Sequence, residues 1–389
     1  MAIESHQPLD GVTVIELGTS VAAPVAGMVL AELGARVIKV ENPQGGDDAR
    51  RWGPPFEEGV APVFLALNRN KRSAAIDLKD PAQVEALRSF IKREADVVLQ
   101  NLRPGLVASY GLDASTLRAD KSNLIYCNLG AFGATGPQKA QPGYDPLMQA
   151  CCGIMSVTGH PRDEPIRVGP SIVDQGAGMW CVIGILAALN RRLQTGEGCT
   201  VDTSLYETAI GWVSQHTANL QVSGAVPSKL GSENAGIAPY KAYEADGGWI
   251  VIAVGNDALF RKLCAVIDRK DWISDPLFAT NPDRVRNRAL LNALLNDIVK
   301  LCTPAEWRAK LDAAGIPCAP VLALDAVVAD PQFEALRMLQ PASDGKRSLI
   351  GLPLSFDGVR PPLRRSPPAL GEGTSLISSS AVEEIDSNG

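Results

Sequence analysis

The first forty residues carry a β-α-β pattern, and this pattern constrains the fold more than any other feature. Residues 12–17 form an apolar run that predicts a buried strand, and residues 36–41 form a second one. Between them, residues 24–34 predict a helix, with Pro24 in its first turn and Gly34 as its stop. Two strands joined by one such helix run parallel.

The same alternation then continues through strands and a helix at 73–77, 81–94, 97–100 and 124–129. The sequence therefore predicts an α/β fold built on a large, doubly wound parallel sheet of the Rossmann-like kind.

Changes in composition along the chain predict its domain organisation. A long apolar helix is expected over 178–192, and a tract rich in Gly, Ser, Pro and Ala begins at 223. The predicted ranges are a large domain at 1–222, a linker or mobile loop at 223–240, a smaller α/β domain at 241–322, a return to the large domain at 323–377 and a disordered tail at 378–389.

Charge and composition exclude several classes of function. The net charge of −6 argues against binding of nucleic acid, which requires a basic face. No uninterrupted apolar run reaches the ~18 residues of a membrane span, and the short polar N-terminus predicts a cytoplasmic protein without a membrane partner. The eight cysteines form no CxxC pair and there are three histidines, so we expect inert thiols and no metal site.

Asp174 is followed by three small residues, Gly176, Ala177 and Gly178. In one interpretation Asp174 is the N-cap of the apolar helix, since Asp is favoured at that position. In the other, the small residues leave room for a ligand, and their N–H groups face a developing oxyanion. The pattern alone favours the cap.

Two further features leave alternatives open. Lys71 and Arg72 lie in a local basic cluster, which is either a solvated surface or a phosphate-binding segment. Glu41 ends the second strand 23 residues after Gly18, as the ribose-binding acid of dinucleotide folds does about 20 residues after its glycines. The turn after Gly18 lacks the further glycines of that motif, which argues against a nicotinamide or flavin site.

The chain as a whole, from about residue 9 to 374, resembles the family III CoA-transferases, which include formyl-CoA transferase, carnitine CoA-transferase and the α-methylacyl-CoA racemases. The resemblance rests on a set of segments, none specific by itself, at residues 34–41, 70–73, 101–105, 142–145, 174–189, 315–318 and 370–372.

This resemblance implies an interlocked homodimer and a reaction without a tightly bound cofactor or a metal, in which coenzyme A is a substrate. Asp174 matches the family's catalytic aspartate, which forms an acyl anhydride and then an aspartyl-CoA thioester. The residues expected at the CoA site are Val21, Ala22, Asn42, Lys71, Arg72, Asn101, Leu102, Arg103, Tyr144 and Asp145, and those expected in a substrate loop are Gly231, Ser232, Glu233 and Asn234.

Departures from individual members narrow the substrate. Val21 and Asn42 replace a glutamine and an arginine of formyl-CoA transferase, which argues against formate and oxalate as the pair. Tyr144 replaces the histidine base of the racemases, and a tyrosine is a poor base near neutral pH. Within the family the transferase is therefore favoured, and the racemase is the alternative. Outside the family the alternatives are a nicotinamide-dependent oxidoreductase and a binding-only module.

We expect transfer of CoA from succinyl-CoA or acetyl-CoA to a small carboxylic acid, a dicarboxylate or an analogue. A distal carboxylate needs a cation or several N–H donors. The candidate cations are Arg50, Arg51, Arg167 and Lys241.

Overall fold

The computed structural model describes residues 7–377, so the predicted tail at 378–389 lies outside the described residues. The described chain forms two compact units. The first contains the residues up to Ile154, then Arg167–Ser223, and then the residues from Leu336 onward. The second contains Met155–Ile166 and Gly224–Ala335.

A parallel sheet of six strands is the centre of the first unit. Its strands are β1 (Thr13–Leu17), β2 (Arg36–Glu41), β3 (Arg72–Ala75), β4 (Val97–Gln100), β5 (Ile125–Gly130) and β6 (Thr200–Ser204). They lie in the order β3-β2-β1-β4-β5-β6, with every neighbouring pair parallel. The order reverses between β1 and β4, as it does in Rossmann folds. The predicted α/β class and parallel sheet are confirmed.

Helices cover both faces of this sheet. They are α1 (Ala22–Glu32), α2 (Pro62–Leu67), α3 (Pro81–Glu94), α4 (Leu106–Ser109), α5 (Ala114–Asp120), α6 (Asp145–Cys151), α7 (Ile154–Val157, which runs into the second unit), α8 (Ile172–Thr195), α9 (Leu205–Trp212) and α10 (Ser214–Ser223), with a 3₁₀ turn at Asp48–Arg51. Leu30 of α1 and Ile185 of α8 belong to the core on one face, and Leu87 and Phe90 of α3 belong to the core on the other.

Helix α8 is long and apolar enough, by length and composition, to cross a membrane. The core helix of a soluble protein passes the same test, and α8 packs on α1, β5 and β6 through Val173, Ala177, Cys181 and Ile185. Its other side carries exposed apolar residues, including Trp180 and Ile183, which are 49% and 53% exposed. The helix is therefore a core helix with one uncovered apolar face.

The second unit has an antiparallel sheet of three strands, β7 (Tyr240–Ala245), β8 (Gly248–Ala253) and β9 (Cys318–Pro320). Its helices are α11 (Asp257–Val266), α12 (Asn281–Arg286), α13 (Arg288–Val299), α14 (Pro304–Ala313), α15 (Leu324–Val328) and α16 (Pro331–Ala335), with a 3₁₀ turn at Lys270–Ile273. Its core includes Tyr243, Trp272 and Leu311.

The limits of the two units differ from the predicted domain limits in three places. The second unit resumes at Gly224, so it includes nearly all of the predicted linker at 223–240. The second unit extends to Ala335, where the large domain was expected to resume at 323, and it takes in Met155–Ile166. The latter segment joins the second unit because the residues after 223 bind it: Gly231 N donates to Gly159 O (2.8 Å), and Lys229 Nζ donates to Asp163 O and Glu164 O (3.0 Å each).

The C-terminal part of the chain returns to the first unit. Here β10 (Leu339–Pro341) and β11 (Ser348–Ile350) form an antiparallel pair. Asn70 binds the segment that follows, because its Oδ1 accepts from the backbone nitrogens of Arg364 (2.7 Å) and Arg365 (2.8 Å). Gly373 N donates to Ser73 O (2.7 Å). These bonds attach the end of the described chain to the strand β3.

Candidate active site

Asp174 lies in the first turn of α8, and the cap of this helix comes from another residue. Helix α8 begins six residues before the predicted position, its N-cap is Ser171, and the Ser171 side chain makes no capping bond. The interpretation of Asp174 as an N-cap is therefore wrong. The N-terminus of a helix favours a negative charge, but at Asp174 burial and the charge of Asp145 outweigh this effect.

Asp145 supplies the missing cap from outside the helix. Its Oδ2 accepts from the backbone nitrogens of Val173 (2.7 Å) and Asp174 (3.2 Å), and its Oδ1 accepts from Gln149 Nε2 (2.6 Å). The side chain is buried. Because both its oxygens are already bound inside the protein, Asp145 is not free to contact CoA, and its assignment to the CoA site is wrong.

The Asp174 carboxyl group is in an environment that opposes ionisation. Burial, together with repulsion from the Asp145 carboxylate, raises the pKa of Asp174 to about 7. Within residues 7–377 no cation forms an ion pair with Asp174. A carboxylate that is half-ionised near neutral pH and has no partner is a more reactive nucleophile than one neutralised by a salt bridge.

Gly176 and Gly178 face protein rather than an open space for a ligand. A Cβ on Gly176 would lie 2.7 Å from Trp212 of α9, and one on Gly178 would lie 2.7 Å from Ala22 O of α1. Both glycines lie beyond the first four residues of α8, whose N–H groups are the ones left free at a helix start. The predicted oxyanion donors at 176–178 are therefore wrong, and these small residues serve close helix packing.

A cavity of about 250 Å³ lies at the carboxyl edge of the sheet, beyond the ends of β1, β2, β3 and β4. Ligands of open α/β sheets bind at this point. Asn42 and Leu102, both predicted at the CoA site, line it. So do residues that the sequence analysis missed, Ile76, Asp77, Leu78 and Lys79, although their place directly after β3 was a usable signal.

Asn101 is adjacent to this cavity but its amide is already bound. Its Oδ1 accepts from Thr19 N and its Nδ2 donates to Thr19 O, both at 2.9 Å. Asn101 therefore holds the loop between β1 and α1 in place. Val21 and Ala22, which follow in this loop and in α1, have buried side chains. Arg103 and Tyr144 are exposed.

Buried charges hold the same loop from beneath. Lys39 Nζ lies 3.0 Å from Glu16 Oε1 and 2.8 Å from Asp47 Oδ2, and it donates to Gly18 O (2.5 Å). Asp47 Oδ1 in turn accepts from Ser20 N (3.0 Å). The side chains of Lys39, Glu16 and Asp47 are buried. An ionic network thus fixes the backbone of residues 18–20.

Lys71 belongs to this network, and its assignment to the CoA site is wrong. Its Nζ donates to Pro24 O and Asn68 Oδ1 (2.8 Å each) and forms an ion pair with Glu16 Oε2 (2.8 Å). The side chain is fully buried. Arg72 lies at the amino end of β3, on the opposite edge of the sheet from the cavity that Asn42 and Leu102 line, so the structure does not bring it together with these two residues.

The predicted substrate loop belongs to the second unit and is held by several bonds. Ser232 Oγ accepts from Ala242 N (3.0 Å), and Asn234 O accepts from Arg288 Nη1 (3.0 Å). Glu233 lies 3.7 Å from Lys241 Nζ and 3.6 Å from Arg288 Nη1. Gly231 adopts a left-handed φ of +61°, and a Cβ added to it would lie 2.5 Å from the ring of His160. The loop has no regular secondary structure, as predicted.

The candidate cations differ in availability. Arg50 is buried and binds both oxygens of Glu41, at 2.9 and 2.7 Å, so its assignment to a distal carboxylate is wrong. Lys241 is paired with Glu233, and Arg51 is paired with Asp48 (2.5 Å). Arg167 is exposed, and among the residues the structure describes it has no ionic partner; its Nη1 donates to Gly169 O (2.8 Å).

Comparison with known proteins gives one consistent family. The chain is 36% identical over 375 residues to the succinate–glutarate CoA-transferase of Agrobacterium fabrum, covering 94% of this chain and 93% of that protein. It is 32% identical over 374 residues to the human succinyl-CoA:glutarate CoA-transferase, covering 95% and 85%. A solved CAIB/BAIF family protein from Brucella suis superposes with a TM-score of 0.86 at 38% identity, covering 96% and 99%.

The sequence profile of CoA-transferase family III matches residues 9–374, which is nearly the whole chain and agrees with the resemblance found in its segments. We conclude that the protein is an enzyme, and that it belongs to CoA-transferase family III.

Proposed function

We propose that this enzyme moves CoA from succinyl-CoA to a small dicarboxylate such as glutarate, with Asp174 as the nucleophile. Acetyl-CoA is the second candidate donor. The names of the relatives support the substrates, since two of them act on succinyl and glutaryl groups. The observation that carries the nucleophile is the position of Asp174, an unpaired carboxyl at the start of α8 with a pKa raised to about 7 by burial and by Asp145.

The proposed reaction exchanges one activated acyl group for another at every step. The Asp174 carboxylate attacks the thioester carbonyl, the C–S bond breaks, and CoA leaves as a thiolate from a mixed anhydride. The thiolate then attacks the Asp174 carbonyl, which frees succinate and leaves an aspartyl-CoA thioester. The acceptor carboxylate attacks this thioester, the C–S bond breaks, and CoA leaves as a thiolate from a second mixed anhydride. The thiolate then attacks the acceptor carbonyl of this anhydride, which gives the acceptor CoA thioester and frees the Asp174 carboxylate. No ATP is consumed.

For the acyl-CoA we propose the cavity at the carboxyl edge of the sheet. It is lined by Asn42, Leu102 and the segment from Ile76 to Lys79, and Asn101 holds one of its loops. Arg103 follows Leu102 and is exposed, so a phosphate of CoA could pair with it without displacing an internal partner. Coenzyme A is the only cofactor-like molecule that the proposal needs, and it is a substrate.

We also propose that the enzyme is a homodimer, interlocked as the family resemblance implies. The uncovered face of α8 supports a partner subunit, because Met179, Trp180 and Ile183 are each about half exposed. Helix α10 has no buried residue at all in the chain as described. Exposed apolar area of this extent marks an interaction surface. The eight free thiols suit a reducing compartment, so we place the enzyme in the cytosol.

Two experiments test the proposed function. The first replaces the nucleophile, and the second traps its covalent adduct with CoA. Asp174→Ala is expected to lower transfer by at least about a thousandfold while the fold and CoA binding persist. Asp297→Asn, on an exposed side of α13, is the matched control. Wild-type turnover in a folded Asp174→Ala variant would exclude Asp174 as the nucleophile.

Incubation of the wild-type enzyme with succinyl-CoA and no acceptor should add CoA to the protein as a thioester that hydroxylamine removes. Intact-protein and peptide mass spectrometry would assign the adduct to Asp174. An adduct on Cys151 or Cys152 instead would contradict the carboxylate mechanism.

A further inference from the structure

A second cavity, of about 340 Å³, lies at the amino edge of the same sheet, where β2 and β3 begin. We call it the arginine cavity, because Arg36, Arg72, Arg364 and Arg365 line it. The CoA cavity lies at the carboxyl ends of these strands, so the two cavities are at opposite edges of the sheet. Neither the proposed reaction nor the family relationship gives the arginine cavity a function.

The fold brings these four cations together from separate parts of the sequence. Arg36 and Arg72 are the first residues of two neighbouring strands. Buried Asn70 places Arg364 and Arg365 beside them. Its Oδ1 accepts from the backbone nitrogens of both arginines, and its backbone nitrogen donates to Arg365 O (3.0 Å). Asn70 adopts a left-handed φ of +65°, which asparagine tolerates better than most residues.

Most of this positive charge is not neutralised within residues 7–377. Arg36 pairs with Glu94 (2.8 Å), whereas Arg72, Arg364 and Arg365 have no carboxylate at ion-pair distance in that range. Arg364 Nη2 donates to a carbonyl, Ala31 O (2.5 Å). Burial lowers the pKa of Arg72, repulsion from Arg365 adds to this, and attraction by Glu372 opposes it. Like charges held this close are unfavourable unless an anion joins them.

The chemistry of the lining defines the class of ligand. A guanidinium group presents a fork of N–H donors that binds carboxylate or phosphate oxygens in pairs. The remaining lining residues include Gly34 and Asn70 and no aromatic side chain, so the cavity offers no surface on which a base would stack. Arg72, Arg364 and Arg365 have no carboxylate partner within residues 7–377, so the cavity favours a ligand that carries two or more negative charges.

We propose that the arginine cavity is a binding site for a small, multiply charged oxyanion, either a polyphosphate or a polycarboxylate, separate from the active site. The site does not depend on the proposed reaction. An occupant would neutralise the cations that join β2, β3 and the C-terminal segment, so binding should stabilise the folded first unit.

The test uses inorganic pyrophosphate and citrate as probes, with the full-length enzyme, at constant ionic strength. Isothermal titration is done with and without saturating CoA, so that binding at the CoA cavity is separated from binding at the arginine cavity. We expect saturable binding of at least one probe that persists with CoA present. Preference for pyrophosphate or for citrate assigns the ligand to polyphosphates or to polycarboxylates.

Two variants and one control locate the binding. Arg365→Gln removes one cation, and Arg72→Lys keeps the charge but removes the fork. Each should raise the dissociation constant of the bound probe by about tenfold or more, with circular dichroism and thermal unfolding confirming a folded protein. Arg308→Gln is the control, since Arg308 is 54% exposed in the second unit and lies 3.5 Å from Asp312.

Three results would overturn the proposal. One is the absence of saturable binding of both probes to the wild-type enzyme. Another is equal binding by the wild type and by both variants. The third is loss of the oligomer in Arg365→Gln, by analytical ultracentrifugation, without binding of either probe to the wild type, which would make the arginine cavity a contact between subunits.

Discussion

The Oδ2 atom of Asp145 lies 2.7 Å from the backbone nitrogen of Val173, so a carboxylate from α6 caps the helix that carries Asp174. The same atom also accepts from the nitrogen of Asp174 itself, at 3.2 Å. One side chain thus performs two tasks. It begins α8 at a defined residue, and its negative charge makes the neighbouring carboxyl harder to ionise.

Asp145→Asn is expected to separate these two tasks, because an amide oxygen can still cap the helix but carries no charge. Without that repulsion the pKa of Asp174 should fall below its present value of about 7, although burial, the larger cause, remains. If Asp174 must be ionised to react, the acid limb of the kcat/KM profile should move to lower pH. A lower rate at every pH with an unmoved limb would leave Asp145 a purely structural role.

Asp174→Asn is expected to stabilise the protein, and to do so more at high pH. The pKa of Asp174 is raised by burial and by Asp145 from 3.8 to about 7 in the folded state, which therefore binds the proton more tightly than the unfolded state does. Wild-type stability should thus fall, relative to the variant, as pH rises from about 4 to about 7, and the gap should then stay constant. Urea denaturation at pH 5 and pH 8 measures the gap, which we expect to be on the order of a few kcal/mol. An equal difference at both pH values would contradict the raised pKa.

Arg50 and Arg51 form a matched pair of neighbouring arginines. Arg50 and its partner Glu41 are 8% and 1% exposed, whereas Arg51 and its partner Asp48 are 53% and 75% exposed. Arg50→Gln should cost roughly 3–5 kcal/mol, because it leaves a buried carboxylate without its ion pair. Arg51→Gln should cost less than ~1 kcal/mol. Similar losses for the two variants in chemical denaturation would show that burial does not set the strength of the pair.

Gly27→Ala should destabilise the first unit severely. A Cβ on Gly27 would lie 1.8 Å from Glu16 Oε2, inside the network of Lys39 and Lys71. Making room would break a buried ion pair as well as overpack the core, so the loss should exceed the ~1–3 kcal/mol of overpacking alone. Gly255→Ala is the control, because nothing lies within 4 Å of the added Cβ. Thermal unfolding compares the two, and a Gly27 variant as stable as the control would contradict the packing.

We expect the enzyme to prefer dicarboxylates to monocarboxylates as CoA acceptors. Because donor and acceptor acyl groups form the same kind of anhydride in turn, a site that takes succinyl-CoA must tolerate a distal carboxylate. Succinate and glutarate should therefore exceed butyrate and valerate by about tenfold or more in kcat/KM with one donor, the effect of about 1.4 kcal/mol. Equal use of the monocarboxylates would reject the dicarboxylate assignment and leave the family assignment intact.

The elements that depend on local pattern could be read from the sequence. The limits of β2, α3 and β4 agree with prediction, since each is set by an apolar period and by neighbours such as Pro81 and Gly34. Asp174 was found through the family resemblance, whereas the pattern alone favoured a cap. The predicted start of helix α8 is six residues too late. Its small residues were interpreted as room for a ligand, because their packing partners Trp212 and Ala22 are distant in sequence.

The rest of the site depends on contacts that a local pattern does not contain. Asp145 lies 29 residues from Asp174, and a turn followed by proline looks the same whether its aspartate caps its own helix or another. Lys71 was assigned to CoA because it lies in a local basic cluster, which is one way to bind phosphates. Its burial follows from Glu16, a carboxylate in the middle of β1, and that pairing becomes visible only when the strands are placed side by side.

The return of the chain to the first unit has a consequence for synthesis on the ribosome. Asn70 binds residues 364 and 365, Glu32 accepts from Leu352 N (3.0 Å), and Arg50 donates to Pro368 O (3.1 Å). These partners lie after residue 351, whereas the whole of the second unit has been translated by residue 335. Although nascent domains generally fold from the N-terminus onward, here the later unit can be complete before the earlier one. Until residues 352–368 have been translated, the buried side chains of Glu32 and Arg50 lack part of their hydrogen bonding, so the nascent first unit is the species that a chaperone would have to protect.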